Sequence, residues 1–343
     1  MKSYYSLLDA ARFFAAFWVM NFHYLFVWRF TPNSVWYRYG NLGVQLFFMI
    51  SGFVIIQSLE GKTIREFATS RLIRLFPLFW ILCTVTYIST ILIPNTNVIY
   101  FKEYLISMTM LGDVINTIAH THLRLVDPSY WTLAVELTFY CAIATFMALF
   151  SYKNIRYFFV GWFIISVVAF ITRIDENLYT KLFLVQHASY FIFGGSLYLI
   201  VSRQAHTMYE KYIDYGLLFL SVVYSVYISS RVIPFYINGD PTESYLVPVV
   251  LLTLSLGVAI LVYLSRYIKN INTIKILALC GGASYPLYLL HETTGNAVIN
   301  YITKRFDVSW GTAVIGFEVV IIIVSCAIYI QDKKLRDWLR SKI

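Results

Sequence analysis

The chain of 343 residues carries too few charged side chains for a water-soluble globular protein. Its composition is 59% hydrophobic and only 13% charged, whereas soluble domains contain about 45–50% apolar and about 25% charged residues. The sequence therefore predicts an integral membrane protein. The net charge of +9 does not indicate a nucleic-acid-binding protein, because no long basic face accompanies it. Four cysteines without metal-site or redox spacing are interpreted as reduced residues of the membrane interior: Cys83, Cys141, Cys280 and Cys326.

Apolar segments long enough to form spanning helices recur along the whole chain. A helix needs about 20 mostly apolar residues to cross a bilayer. The first segment follows a single lysine and lacks a small-residue cleavage site, which predicts a retained span rather than a removed signal peptide. In chain order, the ten predicted spans cover 7–28, 42–58, 73–93, 131–150, 156–172, 182–201, 213–230, 246–264, 276–301 and 311–331.

The segment 99–118 is predicted to be interfacial or re-entrant on the outer face, because charged residues and a glycine interrupt it. With both termini cytoplasmic and this segment not crossing, 17 of the 27 Lys and Arg residues face the cytoplasm, 9 face outside, and Arg12 lies within the first span. If the segment crossed, the later basic loops and the basic cytoplasmic tail 332–343 would face outside, against the positive-inside rule. We therefore expect an all-α integral membrane protein in which residues 1–343 form a single transmembrane domain.

Four ionisable residues stand out within the predicted spans, where a charged side chain costs about 2.5–3.5 kcal/mol on insertion scales. They are Arg12, His23, Glu136 and His291. Arg12 and His23 are eleven residues apart, about three helical turns or roughly 16 Å along one helix face. We expect Glu136 to share the depth of His23 in the outer half of the membrane and to orient its imidazole.

Two arginines one turn apart, Arg71 and Arg74, lie at the predicted cytoplasmic mouth of the third span. Paired guanidinium groups on one helix face suit phosphate binding, although the same residues serve equally well as topology anchors. Structural roles also exist for the others: His23 as a hydrogen-bonded core residue, Arg12 reaching the inner headgroups, and Glu136 in an ion pair. The remaining histidines lack metal-ligand spacing, so no metal site is predicted.

Five motifs, in order along nearly the whole chain, resemble the membrane-bound acyltransferase 3 family. They are Arg12-x10-His23, GVQLFFMISGFVI at 43–55, Arg71-x-x-Arg74 followed by LFPLFW, WTLAVELTFY at 131–140, and SYPLYLLH at 284–291. The family consists mostly of bacterial enzymes that O-acylate cell-surface sugars and some small molecules. The chain lacks the extracytoplasmic hydrolase-like domain that many members carry, so we expect a stand-alone member.

The resemblance implies a reaction between acyl-CoA and a hydroxyl group. The donor would be cytoplasmic acyl-CoA, acetyl-CoA in the usual case, acting as a co-substrate with no permanently bound cofactor. The acceptor would be a cell-surface or lipid-linked carbohydrate at the outer half of the bacterial cytoplasmic (inner) membrane. The expected partners are therefore acyl-CoA, a glycan and membrane lipids, and no nucleic acid.

Roles for individual residues follow from the same resemblance. We expect His23 to act as general base on the acceptor hydroxyl, with Glu136 holding its imidazole. The residues expected to bind the acyl donor or its oxyanion are Arg12, Arg71, Arg74, Ser51 and Tyr285. On the acceptor side the candidates are Trp131 and His291.

Several alternatives stay open at this point. An acyl-histidine intermediate is as compatible with these residues as direct transfer, and Ser51 and Gly52 would equally suit helix packing. A transporter or flippase would use Arg12, His23 and Glu136 as a gated ion pair or proton relay. No matched pair of broken helices marks a carrier site, and a sensor would leave the aligned arginines and histidine unexplained.

Overall fold

A computed structural model describes residues 4–27, 35–94, 98–172, 184–236 and 246–342, and these ranges contain helices and turns but no strand. The α-helices are α1 (Ser6–Asn21), α2 (Val35–Arg38), α3 (Gly43–Leu59), α4 (Ile64–Leu92), α5 (Phe101–Ser107), α6 (Gly112–Ile118), α7 (Trp131–Leu149), α8 (Ile155–Ile171), α9 (Ala188–Val201), α10 (Met208–Tyr236), α11 (Leu246–Ser265), α12 (Ile271–Leu290), α13 (Thr293–Phe306) and α14 (Trp310–Arg340). A π-helical turn, Phe22–Val27, continues α1.

The predicted class, an all-α integral membrane protein, is confirmed. Within the described ranges, nine helices are long and apolar enough to cross a membrane. The shorter apolar helix α9 occupies the position of the remaining predicted span, 182–201. Residues 182–183 of that span lie outside the described residues. The segment 99–118 forms two seven-residue helices, α5 and α6. Each is only about 10 Å long, too short to cross a bilayer.

The span predicted over 276–301 is wrong as one continuous helix. The chain turns at His291–Glu292 and starts a separate helix, α13. Buried small and apolar residues, Gly295, Ala297 and Ile299, are interspersed with asparagines along α13, and its last turn carries two cations. Such a helix is amphipathic rather than uniformly apolar, so the apolar run ends where α12 does. The predicted tail 332–343 is likewise helical as far as Arg340, as the end of α14.

The residues group into two compact units. The first comprises Met1–Leu8, Asn41–Ala68 and Val135–Tyr267. Within it, α3 and α9 cross with glycines at the contact, because a Cβ added to Gly52 would overlap the backbone of Phe191 and one added to Gly194 would overlap that of Met49. Small residues permit this close approach between helices in membranes.

A buried ion pair ties α8 to α10 within the same unit. Arg156 and Asp214 are 3% and 1% exposed at their side chains, and Arg156 Nε lies 3.2 Å from Asp214 Oδ1. The guanidinium also contacts Glu210 and donates to the Gln204 carbonyl at 3.2 Å. Three acceptors therefore satisfy one buried cation, as burial of a charge requires.

The second unit comprises Asp9–Gly40, Thr69–Ala134 and Ile268–Ile343. It holds most of α1, the π-helical turn, most of α4, and helices α12 to α14. Tyr329 of α14 packs where Gly282 of α12 lacks a side chain. This unit brings together residues from the first and last fifths of the chain.

Candidate active site

His23 lies in the π-helical turn at the end of α1. Such turns are rare and occur frequently at functional sites, because the wider turn redirects side chains away from the regular helical face. Nδ1 of His23 lies 3.1 Å from Nε2 of His291 and 3.5 Å from Oε2 of Glu292. The two imidazole rings are stacked, with centroids 5.0 Å apart and planes inclined by 11°.

The hydrogen bonds of His291 assign the tautomers of both imidazoles. His291 is fully buried, and its Nδ1 lies 2.7 Å from the Tyr288 carbonyl. A carbonyl only accepts, so Nδ1 of a neutral His291 carries the proton and Nε2 presents a lone pair. His23 Nδ1 must then donate to that lone pair. Nε2 of His23 is left with its own lone pair and has no hydrogen-bond partner among the described residues.

In the second unit, the carboxyl group beside His23 belongs to Glu292. Glu292 was not among the residues selected from the sequence. The Glu292 side chain is 13% exposed. Glu292 directly follows His291 in the chain. An acid next to a histidine at the end of an apolar run was the available signal. The candidate atoms of His23, His291 and Glu292 all lie within 4.8 Å of one another, so these side chains could also share a metal ion.

A turn formed by residues 127–132 holds the backbone around His291. Asp127 is fully buried, and its carboxylate accepts from Thr293 N at 2.8 Å and from Ser129 N at 2.9 Å. Tyr130 donates to the Leu289 carbonyl at 3.2 Å. Asp127 therefore caps the start of α13 and, with Tyr130, fixes the bend that presents His291.

The π-helical turn is tied to the same bend by Tyr24, whose hydroxyl donates to the His291 carbonyl. Trp310 Nε1 donates to the Tyr24 carbonyl at 3.0 Å. A side chain at Gly295 would overlap the Tyr24 hydroxyl. These contacts hold the imidazoles of His23 and His291 together by positioning the backbone on both sides.

Arg12 is buried in α1, 8% exposed, and its Nη1 lies 3.9 Å from Asp9 Oδ1. The Asp9 carboxylate faces α12 at Gly281, where a Cβ would overlap it. Arg12 therefore has a carboxylate neighbour within its own helix.

Arg71 and Arg74 lie on α4, the first buried and the second half-buried. Arg74 interacts electrostatically with Asp332 of α14, and Asp332 also pairs with Arg336 at 2.8 Å. Tyr285 of α12 donates its hydroxyl proton to the Leu75 carbonyl at 3.2 Å. The hydroxyl predicted to stabilise an oxyanion thus binds the α4 backbone beside the arginine pair.

Glu136 and Ser51, both in the first unit, contact each other. Ser51 Oγ donates to Glu136 Oε1 at 3.3 Å, and the Tyr140 hydroxyl donates to the same oxygen. Glu136 therefore links α3 and α7, while an orienting role toward His23 stays a prediction. Trp131, the acceptor-side candidate, begins α7 and is 37% exposed.

Glu318 is another intramembrane acid that was not selected from the sequence. Glu318 lies in the apolar part of α14 and is half-buried. It interacts electrostatically with the side chain of Asn21, the last residue of α1 before the π-helical turn. A single acid in a strongly apolar helix was the signal that would have identified it.

Comparison with known proteins agrees with this arrangement of motifs. The family model described as an acyltransferase domain, of the acyltransferase 3 type, matches residues 5–330. Nodulation protein 10 of Rhizobium leguminosarum bv. viciae is 29% identical over 157 residues, covering 39% of this chain and 42% of that protein. The chain thus spans less than half of that relative in the match, and no solved structure matches. Since the family model covers nearly the whole chain, the protein belongs to the acyltransferase 3 family of membrane acyltransferases.

Proposed function

We propose that the protein moves an acyl group, acetyl in the expected case, from cytoplasmic acyl-CoA to a hydroxyl of a cell-surface or lipid-linked carbohydrate. The proposed location is the bacterial cytoplasmic (inner) membrane. Family membership supports acyl transfer, and the observation that carries the mechanism is the hydrogen bonding of His23. With Nδ1 engaged by His291, Nε2 is the nitrogen available as a base.

The reaction needs a group that removes a proton from the acceptor hydroxyl as the oxygen attacks the thioester carbonyl. Neutral imidazole suits this role near pH 7. His23 Nε2 takes the proton, the new C–O bond forms, and the C–S bond to CoA breaks. The imidazolium then returns the proton to the leaving thiolate, which leaves as the thiol.

His291 and Glu292 act on His23 rather than on the substrate. The lone pair of His291 Nε2 keeps the His23 proton on Nδ1, which is the tautomer that a base at Nε2 requires. The Glu292 carboxyl, 3.5 Å away, stabilises the positive charge that His23 gains. In hydrolase triads a single carboxylate performs both of these tasks.

The donor is assigned to the arginines of the second unit. Arg71 and Arg74 would bind CoA phosphates through charge-assisted hydrogen bonds, and Arg12 would contact the pantetheine arm or a further phosphate. Asp332 and Asp9, which neighbour these arginines, would balance their charge before the donor arrives. Trp131 is proposed to lie on the acceptor side.

The test uses purified protein in nanodiscs, labelled acetyl-CoA and candidate surface glycans. We expect His23→Ala to abolish transfer to the glycan while leaving donor binding within about twofold of the wild type, because the base is lost but the arginines remain. His206→Ala, which replaces an exposed loop histidine, is the matched control and should transfer normally.

Unchanged transfer by His23→Ala would refute the proposed base. Movement of a glycan across the membrane without any acylation would instead identify a transporter or flippase. Label found covalently on His23 after mixing with donor alone would show an acyl-histidine intermediate, and its absence in a single-turnover reaction would favour direct transfer.

A further inference from the structure

The cluster of His23, His291 and Glu292 has the composition of a zinc site. Zinc is commonly bound by three protein ligands drawn from histidine and carboxylate side chains, with a fourth position left open. Tetrahedral ligands at about 2.0–2.1 Å from zinc lie roughly 3.3 Å from one another. The His23–His291 and His23–Glu292 separations are 3.1 and 3.5 Å.

Groups next to the cluster fix the protonation of His291 and the position of the bend that carries His291 and Glu292. Metal-bound histidines usually donate their other ring N–H to a carbonyl or carboxylate, which fixes the metal-binding nitrogen. His291 meets this requirement, because its Nδ1 faces the Tyr288 carbonyl at 2.7 Å and its Nε2 faces His23. The bend that carries His291 and Glu292 is itself held by Asp127 and Tyr24.

We infer that His23, His291 and Glu292 bind a divalent zinc ion and that its binding inhibits acyl transfer; the inhibition, but not the binding, rests on the proposed function. Zinc would take Nδ1 of His23, Nε2 of His291 and a carboxylate oxygen of Glu292. The proton on His23 Nδ1 moves to Nε2 when zinc takes Nδ1, so the imidazole stays neutral. Nε2 then has no lone pair for the acceptor hydroxyl.

Zinc binding is tested directly with the full chain, purified without metal in detergent. Competition between the protein and a chromophoric chelator measures the affinity for Zn²⁺. We expect one ion per chain and no comparable binding of Mg²⁺, which prefers oxygen ligands. His291→Ala and Glu292→Gln should each weaken zinc binding at least tenfold, whereas His206→Ala should leave it unchanged.

Glu292→Gln keeps the size of the side chain and so removes the metal ligand without creating a cavity. A shifted size-exclusion profile would reveal a misfolded variant. Co²⁺ in place of Zn²⁺ should give the intense visible absorption of a tetrahedral site, and the His291→Ala protein should lose it. No binding of Zn²⁺, or equal affinity in His291→Ala, Glu292→Gln and the wild type, would overturn the site.

Acyl transfer measured with and without Zn²⁺ tests the inhibition separately. Loss of activity on zinc addition and its recovery with EDTA would support the inference. Higher activity with zinc would overturn the inhibition while leaving both the site and acyl transfer in place. Absence of transfer in the metal-free and the zinc-bound protein alike would overturn the proposed function, whatever the chelator competition shows.

Discussion

At the residue scale, the pairing of His23 with His291 determines which nitrogen of the His23 imidazole carries the proton and which carries the lone pair. Regular helical geometry places His23 on the face of Arg12, but the π-helical turn directs the imidazole toward the bend after α12. In the second unit, the carboxyl group nearest to the His23 imidazole belongs to Glu292. In the proposed mechanism, the charge of His23 therefore depends on a residue adjacent to its imidazole partner.

Glu292→Gln is expected to lower kcat by about 10–100-fold, within the usual contribution of acid–base groups. The amide keeps the shape of the side chain but cannot stabilise the imidazolium as a carboxylate does. The KM for the acyl donor should stay near the wild-type value, because the arginines are unchanged. Steady-state kinetics with varied acyl-CoA measure both constants.

The control for this variant is Glu66→Gln, which replaces an exposed carboxylate near the start of α4 and should change neither constant. A Glu292→Gln protein with normal kcat would exclude the charge-stabilising role. A rise in donor KM at normal kcat would point to a structural role near the donor site.

The residues selected from the sequence include two of the three side chains that cluster in the structure and omit the third. The cost of ionisable groups in a bilayer selected His23 and His291, and the structure places their imidazoles side by side. Glu292 was not selected, although it lies in the same predicted span, 276–301, as His291. Residues separated by 268 positions meet only through the fold, so no local spacing could reveal the pair.

At the element scale, the segment 98–126 is a short helical layer held by one carboxylate. Glu103 accepts from Tyr100 N at 2.8 Å and from Arg124 Nε at 3.2 Å. Ser107 Oγ, itself bonded to the Glu103 carbonyl, accepts from Val126 N at 2.9 Å. The two ends of the segment are therefore joined around α5.

Acidification should loosen this segment. Burial favours the neutral form of Glu103, but hydrogen bonds from Tyr100 and Arg124 outweigh burial and lower its pKa below the ordinary value of 4.5. A carboxylate with a lowered folded-state pKa stabilises the folded form fully above its unfolded pKa. That contribution is lost as the pH falls from about 4.5 through the lower folded-state pKa.

Hydrogen–deuterium exchange of residues 98–126, corrected for the intrinsic pH dependence of exchange, measures this effect. Protection should fall below about pH 4.5 in the wild type, and Glu103→Gln should show reduced protection already at neutral pH. Protection that is independent of pH in the wild type, or equal at pH 7 in both proteins, would contradict the role of Glu103.

Element boundaries were predictable where apolar runs were uninterrupted, as for α3, α8 and α11. They were not predictable where a helix changes environment. The apolar residues at the end of α12 are followed by mixed small, apolar and polar residues of α13, and a hydropathy average taken over a window of residues does not separate the two helices. The bend itself depends on Asp127, a capping residue distant in sequence.

At the scale of the whole molecule, the number of crossings sets the orientation of the termini. Nine described helices are long enough to cross, and α9 is the shorter candidate. With α9 crossing and α5 and α6 remaining outside, the ten crossings place both termini on one side. The distribution of Lys and Arg then predicts that this side is the cytoplasm.

Single cysteines introduced into a cysteine-free protein test this orientation with a membrane-impermeant maleimide. We expect Thr121→Cys, after α6, to react in intact cells, and Thr207→Cys, before α10, to react only after permeabilisation. Ser341→Cys, at the end of α14, should behave as Thr207→Cys does. If Thr121→Cys reacts only after permeabilisation and the other two variants react in intact cells, the topology is inverted. If Thr207→Cys and Ser341→Cys differ in accessibility, the number of crossings between them is odd rather than even.

The sequence by itself determined the class of the protein and its family, and it supplied individual candidate residues without their partners. Scarce charge excludes a soluble fold, apolar runs predict spans, and an acid or imidazole inside a span is too costly to retain without a partner. Only the tertiary structure decided which groups are partners. Hydrogen bonds act over about 3 Å, and such distances between the π-helical turn of α1 and the bend after α12 arise only when the helices pack.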